Sequence, residues 1–264
     1  MRERGNGQRH GPRAAVVSTP WRPAGTANFR DLGGLPTEDG GRTRPGLLFR
    51  SDTLQELTAA DVDVLVRRLG LQLVVDLRAP GEVAGEGRGL LEAEPVRHVN
   101  LALHSRDQRP VPDLTADTLV HHYLGYLAVS AAAAVEAFRL LADEGLPAVV
   151  HCAAGKDRTG VMTGLVLRAV GVPADVVAED YARSAEALPA IMARLRRLPA
   201  YADRIDLLPP EVHECRADTM ADFLGAVDQQ YGSASGFLRE AGLEDDVVQR
   251  LRDRLVDPAG APAD

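Results

Sequence analysis

The segment Leu146-Pro-Ala-Val-Val-His-Cys-Ala-Ala-Gly-Lys-Asp-Arg-Thr-Gly160 constrains the fold more than any other part of the chain. Its apolar run Ala148–His151 reads as a buried strand, a short loop follows, and a helix begins near Arg158. A strand that passes into a helix across so short a loop belongs to α/β architecture, in which strands alternate with covering helices. Gly155 and Gly160 permit backbone angles that other residues resist. A loop of this kind turns successive backbone N–H groups inward in front of a helix N-terminus, which makes an anion site. Cys152 opens the loop and Arg158 closes it six residues later.

The rest of the chain keeps the same rhythm. Strands are expected at Leu47–Ser51, Leu71–Leu77 and Val96–Leu101. Thr58-Ala-Ala-Asp61 is a capping-box-like helix start that leads through Val62, Leu65 and Val66 to Gly70. A long helical stretch, Ala116 to Glu144, carries a break near Ser130. Another helix ends at Gly171 with Pro173 beyond it, and from there the pattern is helical to about Val256. No internal repeat is found. The expected organisation is a leader over residues 1–20, one α/β domain over 21–256 with a helical C-terminal third, and a frayed tail over 257–264.

Composition narrows the function classes. The 264 residues carry 30 Lys plus Arg against 38 Asp plus Glu, and a net charge of −8 argues against general nucleic-acid or membrane-surface binding. The longest apolar stretch taken from the sequence, Leu127 to Val135, contains Ser130 and stops at Glu136, so no membrane span is expected. Residues 1–13 are polar and Arg-rich, unlike a signal peptide. Two cysteines, Cys152 and Cys215, read as reduced thiols of a cytoplasmic protein, with signal-independent export left open. Oligomeric state is not legible.

The loop supplies a reaction as well as an anion bed. A thiol is mostly protonated at neutral pH, and helix N-termini and nearby cations favour the nucleophilic thiolate. The Arg158 guanidinium is a planar fork that takes two phosphate oxygens at once. Inward N–H groups and that fork face the equatorial oxygens of a phosphoryl-transfer transition state. The Thr159 hydroxyl stands where it can bond the sulfur, and His151 is placed to order the loop. Gly155-Lys156 is not a nucleotide P-loop, since Val150 and Asp157 stand where Gly and Ser or Thr are needed.

With its preceding His and following Thr-Gly, this Cys-x5-Arg pattern resembles the signature of the cysteine-based protein tyrosine phosphatases. Together with Asn28-Phe-Arg-Asp-Leu-Gly-Gly34, Phe49-Arg-Ser-Asp52 and Val74-Val-Asp-Leu-Arg78, it is similar to a bacterial branch of that superfamily from about Trp21 to Val256. The resemblance implies a phosphatase fold with a mostly parallel central sheet, a phosphocysteine intermediate on Cys152, no metal and no cofactor. It implies phosphotyrosine protein substrates, in some members phosphoserine or phosphothreonine, and phosphoinositides as an alternative. Ala153, Ala154, Gly155, Lys156, Asp157, Thr159 and Gly160 are the expected substrate-binding positions, with His151 in support.

A leaving oxygen needs a proton. Asp76, at the end of the strand Leu71–Val75 and within the Asp-Leu-Arg motif, is the expected general acid, with Asp113 and Asp117 as alternatives; Asp157 could brace the site or pair with Lys156. His213 and Cys215 lack zinc-ligand spacing with any neighbour. Arg194, Arg196 and Arg197 read as a solvated helix face, and Asp31 either fixes a turn or flanks the site. A helical segment after Pro173 could cover the site. Of the chain's cations only Lys156 is a lysine, and it falls inside the loop, which suggests a second substrate anion. A phosphate-binding module without turnover would be expected to lack Cys152 or Arg158, and both are present.

Overall fold

A computed structural model describes residues 21–104, 116–143, 145–203, 205–207 and 210–260. Asp113 lies outside them, and so do the expected leader and residues 261–264. Seven strands are described: β1 (Arg30–Asp31), β2 (Arg42–Thr43), β3 (Leu48–Ser51), β4 (Leu73–Asp76), β5 (Arg97–Asn100), β6 (Ala148–His151) and β7 (Val256–Asp257). Five form one sheet in the order β1-β3-β6-β4-β5. The last four in that order run parallel, and β1 is antiparallel to β3. Because β6 pairs in register with both neighbours, Ser51, His151 and Asp76 end their strands side by side. Cys152 therefore leaves the sheet at the middle of its C-terminal edge, where α/β ligand sites gather.

Strand alternation divides the side chains between two faces. Leu73, Val75, Ala148 and Val150 enter the larger core, continued by Cys152, while Val74, Val149 and Phe49 enter a smaller one with Phe29 and Leu65. Asp76 and His151 are in phase with Val74 and Val149, so their side chains leave the sheet on the face opposite the Cys152 set.

Helices cover both faces. On the smaller core lies α1 (Ala59–Asp63), whose capping box forms as the sequence predicts, with Thr58 Oγ1 accepting from the Asp61 N–H at 3.2 Å. A short α2 (Pro80–Glu86), not foreseen from the sequence, follows β4. On the larger core lie α3 (Ala116–Asp143) and α4 (Asp157–Ala169). The expected break in α3 is real: Ser130 is non-helical (φ −116°, ψ 27°), and its hydroxyl accepts from the His104 N–H at 3.0 Å. By length and composition alone, Leu119–Asp143 is apolar enough to span a membrane, a longer window than the sequence reading took. Tyr123, Leu127, Phe138 and Leu141 within it are buried in the larger core, so it is the central helix of a globular domain.

The C-terminal third is helical as expected: α5 (Ala174–Ala182), α6 (Leu188–Leu195), α7 (Pro210–His213), α8 (Ala217–Tyr231), α9 (Ala234–Glu240) and α10 (Val247–Leu255). Asp257, assigned to the tail from the sequence, instead pairs with Arg42 between β7 and β2 and accepts from Arg44 Nε at 2.5 Å.

One buried carboxylate fixes α5 to the sheet. Asp180 accepts from Arg30 Nε on β1 and from Arg50 Nη1 on β3, both at 2.7 Å, and all three side chains are buried. Burial opposes the Asp180 charge, but Arg50 and Arg30 outweigh it and hold the carboxyl below its ordinary value. Its contribution is therefore present above the unfolded-state value near pH 4 and is lost as the pH falls towards the lower folded-state value. Asp180→Asn, which strands two buried guanidiniums, is expected to lower urea-unfolding stability by about 3–5 kcal/mol at neutral pH. The gap between variant and wild type should narrow below about pH 4.

Candidate active site

Between β6 and α4 the chain makes one tight turn, and its peptides face a single way because each carbonyl is held from outside. The Thr53 N–H donates to Ala153 O at 3.2 Å. Asn28 Nδ2 donates to Ala154 O at 3.3 Å and to Gly155 O at 3.0 Å, and Arg50 Nη2 donates to Gly155 O at 2.8 Å. A carbonyl turned out carries the N–H of the same peptide inward, so the amides of Ala154, Gly155 and Lys156 face the loop interior. The Gly155 N–H already points at Cys152 Sγ, 3.2 Å away. Gly155 has φ +66°, and a Cβ there would stand 2.5 Å from both Ser51 O and Asp52 N, so the turn admits no other residue.

The first turn of α4 brings Arg158 to the loop. Its Nη1 and Nη2 donate to Glu82 Oε2 and Oε1 at 2.7 and 3.0 Å, a two-point pairing that fixes the plane of the guanidinium. Burial works against the Arg158 charge, but the negative charge that Cys152 carries as a thiolate, and Glu82, raise its affinity for the proton above the ordinary value. Glu82 sits in the first turn of α2 and also accepts from the Ala79 N–H at 2.7 Å. The sequence reading missed it. Its local signal, Pro80 followed by Glu82 at a helix start, marks the helix without revealing the partner.

Lys156 turns away from the loop centre, and Asp157 stands at its rim. Lys156 is buried; its Nζ donates to Val212 O and lies 3.2 Å from Asp157 Oδ1. In this structure the lysine ties the loop to α7 and does not face the phosphate bed. Asp157 Oδ1 also accepts from the Tyr123 hydroxyl at 2.6 Å. Burial pushes the Asp157 carboxyl up, but Lys156 and the Tyr123 hydroxyl prevail and lower it. The Thr159 hydroxyl is buried and has no hydrogen-bond partner among the described residues, so the expected bond to sulfur is not formed here.

Asp76 has surroundings unlike those of a proton donor. It is fully buried and accepts from Arg78 Nη2 at 2.7 Å and Arg78 Nε at 3.0 Å, with His98 Nε2 at 3.0 Å and His151 Nε2 at 3.5 Å. Burial opposes its charge, but His151, His98 and Arg78 hold the carboxyl far below the carboxylate range. His151 Nδ1 in turn lies 3.3 Å from Cys152 O. Asp76, His98 and His151 also offer three ligand atoms within 4.8 Å of one another, a grouping the sequence reading passed over. The Arg78 guanidinium already bonds both Asp76 oxygens, which sets a positive charge where a cation would bind. Of the alternative acids, Asp113 and the Asp117 side chain lie outside the described residues.

α6 and the described residues that follow it pack over the loop. Ile191, Leu195, Tyr201 and Ile205 form an apolar cluster with Ala153 and Ala154, and Cys152 is 2% exposed. Arg194, expected on a solvated face, is buried and donates to Asp52 and, at 3.5 Å, to Ala153 O. Only Arg196 and Arg197 match that reading, as exposed partners of Asp206 and Glu56. Tyr201 reaches furthest in: its hydroxyl donates to Glu82 and accepts from Arg158 Nη2 at 3.2 Å. Elsewhere, Asp31 proves to fix a turn, accepting from the Gly33 and Gly46 N–H groups at 2.8 and 2.7 Å. His213 lies 3.1 Å from Ile205 O, and burial pushes the Cys215 thiol up to about 11.

A cysteine in a cradle of inward amides, at the end of a central parallel strand and facing an oriented arginine, defines the cysteine-based phosphatases. The chain belongs to the tyrosine phosphatase family, whose sequence profile matches residues 22–257. It is 32% identical to the triple specificity protein phosphatase PtpB of Mycobacterium tuberculosis, over 88% of this chain and 97% of that protein. It is 31% identical to a tyrosine-protein phosphatase of Nostoc commune, over 78% of this chain and 73% of that one. Among solved structures, the core catalytic domain of the PP-IP phosphatase SIW14 from S. cerevisiae covers 72% of this chain and 98% of its own, with 15% identity and a TM-score of 0.38.

Gly155→Ala tests the loop geometry. The added Cβ must displace the Ser51–Asp52 backbone, and a shift of about 1 Å in the amides is expected to lower kcat/KM on an aryl phosphate about a hundredfold. Circular dichroism of the same variant should still report a folded domain.

Proposed function

We propose that this chain hydrolyses phosphate monoesters, phosphotyrosine in proteins foremost, through a covalent phosphocysteine on Cys152. The observation that carries the reading is the loop itself: every carbonyl from Ala153 to Gly155 is bonded from outside, leaving the amides to Cys152 Sγ and to an anion above it. The Cys152 sulfur attacks phosphorus, the bond to the leaving oxygen breaks, and that oxygen takes a proton. Water then attacks the phosphocysteine and frees inorganic phosphate. In both steps charge gathers on oxygens that the amides of Ala154 to Lys156 and the Arg158 fork are placed to receive. Glu82 holds the fork in plane, and Tyr201 must yield its bond to Arg158 when phosphate enters.

The proton is better assigned to Asp157 than to Asp76. Against the effect of burial, Lys156 and Tyr123 lower the Asp157 carboxyl as well. But Asp157 sits at the loop rim, 31% exposed, whereas Asp76 is sealed beneath His151 with its oxygens bonded to Arg78 and His98. Asp76 is then a positioning residue: it orients His151, which faces the Cys152 carbonyl. The family description and the named relatives support phosphotyrosine as the substrate class, and the triple specificity of the mycobacterial relative supports a broader range. Lys156 can serve a second anion, including an inositol phosphate, only if α7 moves off it, since its ammonium is engaged by Val212. A buried nucleophilic thiol and a second free cysteine support a reducing, cytoplasmic setting.

Purified protein is expected to hydrolyse an aryl phosphate at an undiminished rate in excess chelator, and Cys152→Ser to abolish turnover. Near-full activity in that variant, or loss on chelation, would overturn the covalent reading. A leaving-group series separates the two acids. Asp157→Asn should slow alkyl phosphates by about 10²–10⁴ while sparing good aryl leaving groups. Asp76→Asn should slow both alike and lower thermal stability; the opposite pattern returns the acid role to Asp76.

A further inference from the structure

Beside the loop, on the β1 flank of the same sheet edge, lies a second cavity of about 60 Å³. By volume it has room for about four water molecules. Its polar lining is Arg22, Asn28, Arg30, Arg183 and Glu186. Asn28 joins the cavity to the loop. Its Nδ2 holds the Gly155 carbonyl of the loop at 3.0 Å, and its Oδ1 accepts from Arg30 Nη1 at 2.5 Å. The cavity thus abuts the outer face of the loop, with Asn28 as the side chain between them.

The charge around this cavity is unbalanced. Arg22, Arg30 and Arg183 line it and Arg50 lies beneath, against two carboxylates, Asp180 and Glu186. Asp180 is committed below the cavity to Arg30 and Arg50 at 2.7 Å, and Arg183 reaches it only at 3.9 Å. Arg183 is half exposed and Arg22 is exposed, so both forks are open to a ligand. Crowding of like charge shows on the buried member: burial first, then Arg50, push Arg30 down to about 10. An anion in the cavity relieves that repulsion, and a guanidinium fork suits a carboxylate or phosphate.

We propose that this cavity is a specificity subsite that binds an acidic side chain of a phosphopeptide whose phosphotyrosine occupies the Cys152 loop. The substrate part of this rests on the phosphatase reading; the binding part does not. A soluble peptide fits better than a lipid surface, because a net charge of −8 opposes approach to an anionic bilayer. The loop selects the phosphate, and the Arg22–Arg183 pair selects what stands beside it.

The test uses phosphotyrosine peptides carrying Glu at successive positions on either side, an all-Ala counterpart, and a soluble phosphoinositide bisphosphate. Binding is read by fluorescence anisotropy on the Cys152→Ser protein, so no turnover is needed. At one or more positions, Glu is expected to tighten Kd about tenfold over Ala, or about 1.4 kcal/mol. Adding Arg22→Ala and Arg183→Ala should erase that preference, and salt should weaken it. In the active enzyme the same double substitution should leave kcat/KM on a simple aryl phosphate within about twofold. No Glu preference in wild type, a preference that survives the double substitution, or sensitivity confined to the phosphoinositide would each overturn the subsite. A wild-type protein that binds acidic peptides with the expected preference but hydrolyses no aryl phosphate would overturn the phosphatase reading and leave the subsite standing.

Discussion

The outward pull on the Gly155 carbonyl is the constraint on which the rest of the site depends. A peptide plane is rigid, so one bonded oxygen fixes the opposite N–H as well. Arg50 supplies that bond at 2.8 Å, and Arg50 is itself held by Asp180 at 2.7 Å. The series Asp180–Arg50–Gly155 therefore runs from a helix of the C-terminal third, through a central strand, to the amides that face the sulfur. Such groups add little net stability, because the cost of burying them nearly cancels their attraction. Their use here is directional. Apolar residues of the same volume would fill the space and leave the loop free to turn its peptides either way.

The same logic explains motifs that looked merely suggestive in the sequence. In Asn28-Phe-Arg-Asp-Leu-Gly-Gly34, Asn28 holds two loop carbonyls, Arg30 bonds Asp180, and Asp31 ties the turn that returns the chain to β3. In Phe49-Arg-Ser-Asp52, Arg50 holds Gly155, while Asp52 accepts the Ala27 and Asn28 N–H groups and pairs with Arg194. None of these residues needs to touch phosphate. They are the outer frame of a loop whose inner surface is backbone.

What could be read from the sequence was local, and what could not was relational. The strand ending at His151, the glycine at a left-handed position, the Thr58 capping box and the break at Ser130 all follow from neighbours a few residues apart. Glu82 and Arg158 are 76 residues apart, and nothing in either neighbourhood announces the pairing. Arg194 shared a run with two solvated arginines, and only the fold separates it from them. Asp76 is the instructive case. Placing it at the C-terminal edge of the sheet was right, but edge position alone does not say which face a side chain takes. Side-by-side pairing of Asp76 with His151 puts it on the face away from Cys152, and that register is a property of the sheet, not of either strand.

Arg158 links the chemistry to the cover. Its fork bonds Glu82 at two points and the Tyr201 hydroxyl at 3.2 Å, while Lys156, two residues earlier, bonds the backbone of α7. Arg158 and Lys156 thus also hold Tyr201 and α7 over the loop. On the reading proposed above, an incoming dianion and Tyr201 compete for one guanidinium, so binding and displacement of Tyr201 are one equilibrium seen from two sides. A ligand shifts that equilibrium only by its preference for the open form, and a phosphate that gains Arg158 and three inward amides has such a preference by construction. On the phosphatase reading proposed above, the polar residues that would receive the anion are the same ones that hold Tyr201 and α7 in this structure.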